Sequence, residues 1–550
     1  MNKFIKNWSL IFSIALISLM SCEDLDELNI NPNGIDPQVA DLNLLMPTVL
    51  TSVGKNVVGL GFGDIAGVMQ HTQKDGWSSG HNDYDWDNDN KSWSGYYGIL
   101  RTNDELHRKA VEGDYTFHEG VALIMRSYVF GLIADLWGDA PYFASLKAEE
   151  GSENFKPVFD SQEDIYLDIL ATLETANTLL SGSQSSYDNI DPVQDVLFDG
   201  DVRKWQKFAN SLALRYYLRI SEKLPQVAQQ GINKIVSDPS TYPIMVNVAD
   251  DANIGYVGNS SSDSWPTTTA FNNDPSGSYM RLKMCSTLVD KLQEYEDPRL
   301  TVWANPIEIP LKVVSGTKVD QIEDGYRLIS QDTVDGYEKS WGFPLDFDSL
   351  YVGLRPSTEA ASFYNLNPNL DQGVYNPHAS QLNDIYKESA GDLLQMRLQS
   401  SSEVYFILAE AAEKGWISGQ ASEYYATAIS RSFSAWGISG SFNGYLDRAP
   451  YNGVESIIEQ KWIASWSAAA EAWFDYRRTG LPDLKTGELA KRQALPLRFY
   501  YHFNDEISKN TENAEAAIAK LEPTEYKGID VSNNSAWSKF WLLQGTNKPY

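Results

Sequence analysis

Cysteine is almost missing: 550 residues hold two, Cys22 and Cys285, too few for a disulfide framework and without the CxxC spacing of a zinc site. Histidine is nearly as rare. The six, His71, His81, His107, His118, His378 and His502, are scattered, and His118-Glu119 has no second histidine four positions on, which excludes a zincin helix. Basic residues also run short, with 44 Lys plus Arg against 74 Asp plus Glu and a net charge of −30. That is the wrong sign for gaining affinity from a phosphate backbone by counterion release, so nucleic acid is not an expected partner. No GxSxG elbow marks a serine hydrolase, and no motif surrounds Cys285. What the chain has in quantity is core material: 42% apolar and 12% aromatic residues exclude a disordered or collagen-like polymer and predict one large folded body.

Long apolar runs are scarce after the start. The best, Val121 to Gly138, is interrupted by Arg126 and Asp135, so no later segment is expected to span a bilayer. The start itself reads as an address. Lys3 and Lys6 precede the apolar run Leu10 to Met20, which is too short to cross a membrane and the right length for a signal-peptide centre. Leu19-Met20-Ser21-Cys22 follows in place of an AxA site and looks like the lipobox of bacterial lipoproteins. Residues 1–21 are therefore expected to be removed, taking the net charge to −32 because two lysines and no acid are lost. Cys22 is then the lipidated first residue. Two or more acyl chains, at about 0.8 kcal/mol per buried methylene, hold a protein stably on a membrane. Glu23, Asp24, Asp26 and Glu27 follow at once; the run resembles a surface-export signal of some Gram-negative lipoproteins and places the chain on the outer membrane, facing outward.

After the leader, 22–36, one domain is expected over 37–550, mostly α. Ile165, Ile169 and Leu173 share a helical face behind a capping-box-like start at Asp160 and Glu163. Trp205, Phe208, Ala209, Leu212 and Tyr216 form another stripe. Between about 237 and 390 Gly, Pro, Asn and Ser recur and short β-prone pieces such as Ile307 to Val314 appear. Helical periodicity returns with Val404, Leu408 and Ala411 and again with Ile458, Trp462, Trp466, Ala469 and Trp473. The expected plan is a helical scaffold over about 37–236 and 391–550, interrupted by a loop-rich section over about 237–390.

An ordered set of strings runs through this plan. Asn29-Ile30-Asn31-Pro32-Asn33 is followed by Ala134-Asp135-Leu136-Trp137-Gly138-Asp139-Ala140-Pro141-Tyr142 and by Trp205-Gln206-Lys207-Phe208-Ala209-Asn210-Ser211-Leu212. Asp297-Pro298-Arg299-Leu300, Ala409-Glu410-Ala411, Gln460-Lys461-Trp462 and Arg477-Arg478-Thr479-Gly480 complete it. Together they resemble the SusD/RagB family of outer-membrane nutrient-binding lipoproteins over almost the whole mature length. One step departs, where the family's Tyr-Pro is Tyr501-His502. The resemblance implies a scaffold of tetratricopeptide-like helix pairs carrying an irregular ligand surface. It also implies capture of glycans, in some members peptides, above a SusC-like TonB-dependent β-barrel transporter, with no reaction performed. The strings themselves read as structural. Gly138 with Ala140-Pro141 ends a helix, and Arg477 and Arg478 are expected in ion pairs.

A sugar site needs exposed aromatic planes beside amides and carboxylates. Trp77, Asn82, Tyr84 and Trp86 fall in a stretch dense in Asp and Asn, where complete burial of the rings is expected to be costly. Trp93, Tyr96 and Tyr97 read instead as the start of a core helix. Trp265 and Trp341 lie in turn-rich surroundings. Trp77, Asn82, Tyr84, Trp86, Trp265 and Trp341 are thus the candidate ligand residues. Neither a catalytic residue nor a cofactor is expected. Asp83, Asp85, Asp87 and Asp89 alternate like a calcium loop, but Asn88 and Ser94 stand where an EF-hand needs Gly and Glu, so no metal is assigned and only a surface calcium is left open. The rival readings are an oligopeptide held by main-chain bonds and a surface glycoside hydrolase, for which nothing among 74 acids selects a pair.

Overall fold

The computed structural model describes residues 41–75, 78–86, 91–271, 277–315, 321–342, 344–357, 376–438, 440, 442, 444–528, 530 and 532–550. The signal segment, Cys22 and the acidic leader lie outside them. The described part of the predicted domain is mostly helical. Counting helices of nine residues or more, the first part of the chain holds α1 (Leu42–Gly61), α2 (Ser94–Glu112), α3 (Thr116–Trp137), α4 (Gln162–Leu179), α5 (Val202–Arg219) and α6 (Pro225–Ser237). The middle holds α7 (Ser286–Glu294) and α8 (Gln331–Trp341), and the last part α9 (Ser401–Glu413), α10 (Ala421–Ala435), α11 (Gly453–Ala464), α12 (Ala469–Thr479) and α13 (Thr511–Ala519).

Consecutive helices pack on one another from α1 to α6 and again from α9 to α11, and the short connections 113–115, 220–224 and 414–420 make the pairs they join antiparallel, in the manner of tetratricopeptide repeats. Helix α3 is the centre. It is buried on almost every face, as a helix apolar all round must be, and although it is long and apolar enough to cross a membrane, nearly all of it lies inside the protein. Gly138 ends it at φ +97°, with its N–H still bonded to Ala134 O at 3.0 Å. An added Cβ there would meet Phe540 at 3.1 Å, so glycine serves both the backbone and the packing. The start of α4 differs from the expected capping box: Ser161 is the cap, accepting from Asp164 N. Trp93 and Tyr96 are buried beside the first turn of α2, as core residues.

The two helical parts join through α9 on α5 and α12 on α1, and one hydrophobic core runs from Leu42 to Leu543. Buried inside this join are ten charges. Arg215, Arg219, Lys461, Arg477 and Arg478 face Asp135, Glu403, Glu410, Glu471 and Asp475. Arg478 meets Glu410 at 2.5 Å and Asp475 at 3.0 Å. Arg477 donates to the carbonyls of Asp135 and Leu497 at 2.7 and 2.8 Å. The equal numbers of each sign let so many charges leave water. Both arginines of the Arg-Arg-Thr-Gly string are therefore structural.

Beyond Thr479 the described residues depart from the helical pattern expected to 550: α13, short turns and an antiparallel pair of 522–523 with 538–539 interrupt an irregular wrap that returns over the scaffold. The middle section carries its own small core of Ile307, Leu311, Ile329, Val334, Leu345, Val352, Leu354 and Ala379, beneath a three-stranded sheet of β4 (Leu311–Val314), β6 (Tyr326–Ser330) and β5 (Gln321–Glu323). It is tied to the scaffold by β1 (Thr72–Lys74) against β3 (Leu282–Met284) and by β2 (Ala252–Gly255) against β7 (Gln395–Gln399), both antiparallel.

Candidate functional site

Of the rings chosen for an aromatic platform, the three whose side chains the structure describes are buried. Tyr84, Trp86 and Trp265 are each at most 1% exposed, so none can stack on a ligand in this structure. Trp86 donates to Gly80 O at 2.9 Å and sits edge-on to Trp473 and Phe499. Trp265 packs on Phe62 and Tyr386, and its backbone N–H is bonded to Ser389 O, pinning the middle section to α1. Asn82 is buried too; its amide donates to Lys74 O at 2.9 Å and accepts from Lys74 N at 3.3 Å, completing the free edge of β1. A π-turn over Ser79–Asp83 and a left-handed Tyr84 at φ +62° carry Tyr84 and Trp86 inside, while Asp83 and Asp85 stay part-exposed and Asp85 pairs with Lys491 at 3.2 Å. Trp77 lies outside the described residues, as do Asp87 and Asp89. The backbone of Trp341 ends α8, and its side chain also lies outside the description. Among the described residues no group of three or more His, Cys, Asp or Glu is placed to hold a metal ion.

The structure offers a different site, in the loop-rich section. Strand β3 lies between β1 on one side, with Gln73 opposite Lys283, and the segment 380–382 on the other, with Lys283 opposite Gln381. Strand alternation sends Leu282 and Met284 into the main core and Lys283 to the opposite face. There a cavity of about 310 Å³ opens, lined by Tyr279, Lys283, Asn305, Glu308, Asn376 and Gln381 among others. Asp75, the last described residue before Trp77, is bonded through its N–H to Arg281 O at 2.7 Å, which sets the end of β1 beside the strand that floors this cavity.

Most polar groups around it are engaged. The Gln381 amide donates to Tyr279 O and Leu282 O at 2.6 and 2.9 Å, which turns its oxygen toward the Lys283 ammonium as acceptor. Asp384 accepts from Asn305 at 2.8 Å and pairs with Lys387 at 2.9 Å. Two donors are not fully used. Lys283, 1% exposed, donates to Gln381 and to Met280 O at 2.8 Å. Both acceptors are neutral, and a third N–H is left over. Asn376, 3% exposed, has an Nδ2 without any partner. Burial lowers the Lys283 ammonium to about 8, with Asp75 and Glu308 offsetting only part of that cost. An ammonium buried among neutral acceptors is costly unless something enters to accept from it.

That cost gives a pH signature. Between about pH 8 and the ordinary lysine value of 10.5 the folded protein has released the Lys283 proton and the unfolded chain has not, so wild-type stability should rise relative to a Lys283→Gln variant as pH climbs through this window. The penalty is present in full below pH 8, and the change is at most about 3 kcal/mol. Urea midpoints of both proteins at pH 7 and pH 10 check it; an unchanged difference contradicts the assignment.

Sequence reasoning missed Lys283, Asn376 and Gln381. Nothing local marked them: Leu282-Lys283-Met284 contains no β-branched or aromatic residue.

A family model described as starch-binding and associating with the outer membrane, SusD-like, matches residues 38–336 and 351–502. Solved structures share the fold. A Bacteroides vulgatus protein assigned to the outer membrane and to nutrient binding is 24% identical with TM-score 0.70, covering 92% of this chain and all of that one. A SusD homologue of Bacteroides fragilis is 22% identical with TM-score 0.68, covering 92% and 99%. A chitin-binding SusD homologue of Flavobacterium johnsoniae is 19% identical with TM-score 0.66, covering 91% and 99%. No match is found among curated proteins.

Proposed function

The chain belongs to the SusD-like family, described as starch-binding and associating with the outer membrane, and on that premise we propose that it captures oligosaccharides at the cell surface without cleaving them. The observation that carries the reading is the cavity beside β3, where amides, lysines and carboxylates face a space of about 310 Å³ and two buried donors await acceptors. Sugar hydroxyls and ring substituents are ligands of that kind. Similar proteins whose ligand is named bind chitin. Cys22 carries the lipid in this reading, the acidic leader sends the protein to the outer face, and a TonB-dependent β-barrel transporter receives the ligand.

An oligopeptide is the second reading. Of the residues lining the cavity only Tyr279 is aromatic, and its ring is buried under Lys387, a lining that peptides tolerate better than stacking sugars do. Radiolabelled fatty acid followed by mild detergent extraction tests the assembly. The protein should carry label at Cys22, lose both label and membrane association in Cys22→Ala, and co-purify with a large β-barrel. A protein that is unlabelled and free in the aqueous fraction would defeat the anchored, transporter-coupled role.

A further inference from the structure

The donors left over in the cavity share one property: they need acceptors and offer none. Lys283 has a free N–H, and the Asn376 amide has two on an unpartnered Nδ2. Of the acceptors nearby, Gln381 Oε1 is committed to Lys283 and Asp384 to Asn305 and Lys387, while the Asp75 and Glu308 carboxylates act on Lys283 only through space. A neutral hydroxyl would bring a donor with every acceptor. A carboxylate or sulfate brings acceptors alone, and its charge answers the Lys283 ammonium, which among the described residues has no carboxylate in ion-pair contact. Charge-assisted bonds of this type are about twice as strong as neutral ones. Resting on the reading of this cavity as the sugar site, we propose that its floor is a subsite for the anionic group of an acidic saccharide, a uronate carboxylate or a sulfate ester, held by Lys283 and Asn376.

A saccharide fits better than a peptide ending in a carboxylate. Peptides add to sheets along a free strand edge, and both edges of β3 are occupied, by β1 and by 380–382. The rim instead carries Asn305, Glu308, Asp384 and Lys387, whose amide, carboxylates and ammonium can bond to hydroxyls.

Calorimetric titration of the purified full chain tests this with four probes: oligogalacturonate, the same oligosaccharide with its carboxyls reduced to alcohols, a sulfated glycosaminoglycan oligosaccharide and an acidic peptide. One of the two charged saccharides should bind at least ten-fold tighter than the reduced neutral one, and which of the two does so identifies the anion. Lys283→Gln and Asn376→Ala should each bring that ratio toward one, lowering affinity for the charged saccharide more than for the reduced one. The wild-type ratio stands even where a variant folds poorly. Equal affinity for charged and reduced saccharides would overturn the anionic subsite alone. Binding of the peptide and of no saccharide, or of no probe at all, would overturn the subsite together with the sugar-capture reading.

Discussion

Arg478→Ala should lower unfolding stability by about 3–5 kcal/mol, the range found when one partner of a buried ion pair is removed. The variant leaves Glu410 with the more distant Lys414, 3.7 Å away, and Asp475 with Lys461, inside a join where Glu410, Asp475 and Lys461 are buried. Replacing the pair together, Arg478→Met with Glu410→Leu, should recover most of the loss, because desolvation of both charges disappears with their attraction. Acid should narrow the gap between wild type and Arg478→Ala. Burial pushes Glu410 and Asp475 upward, but Arg478 acting on Glu410, and Lys461 with Arg478 on Asp475, hold both below their ordinary values. A depressed carboxylate stabilises the fold above its unfolded value near 4 and loses that contribution as pH falls through its folded one. Urea unfolding followed by circular dichroism at pH 7 and pH 4 measures both effects. A loss under 1 kcal/mol at pH 7 would show that the network is dispensable.

Trp86→Ala should cost about 3–5 kcal/mol, the usual range for emptying a large aromatic site in a core, and should leave saccharide affinity unchanged. Its ring touches Trp473 and Phe499 beneath the C-terminal wrap, while the cavity lies beside β3 and is lined by none of these residues. Trp265→Ala should cost a similar amount for the same reason, since its ring fills the space between Phe62, Tyr256 and Tyr386. Denaturant midpoints and calorimetry on the same preparations separate the two effects. A Trp86→Ala protein of undiminished stability that had lost its ligand would return that ring to the binding role its neighbours in the sequence suggested.

The scaffold was readable because its signals are local. The stripe from Trp205 to Tyr216 became one helix with that face buried, and the pattern around Ile458 to Trp473 became two, broken at a turn that holds Trp466, again with those residues buried. The structural role of Arg477 and Arg478 could be anticipated from the excess of acid. The site was less readable for two physical reasons. Composition around Tyr84 and Trp86 suggested exposure, but the irregular backbone there, a π-turn ending in a left-handed Tyr84, buries both rings and leaves Asp83 and Asp85 part-exposed. The cavity, in turn, is built by long-range pairing: Lys283 meets Gln381 across 98 positions, and nothing in either local sequence announces the other. The irregular wrap after Thr479 was misjudged in the same way, because its turns are fixed by distant partners, such as Phe499 N–H on Leu136 O, and not by a periodic pattern of its own.

Saturable binding with recovery of intact ligand is the measurement that bears most directly on the central claim. Purified protein incubated with a panel of neutral and acidic oligosaccharides should retain one class in equilibrium dialysis, and chromatography of the ligand after prolonged incubation should show its starting length unchanged. Shortened fragments in that chromatogram, or no oligosaccharide retained at any concentration, would contradict the account.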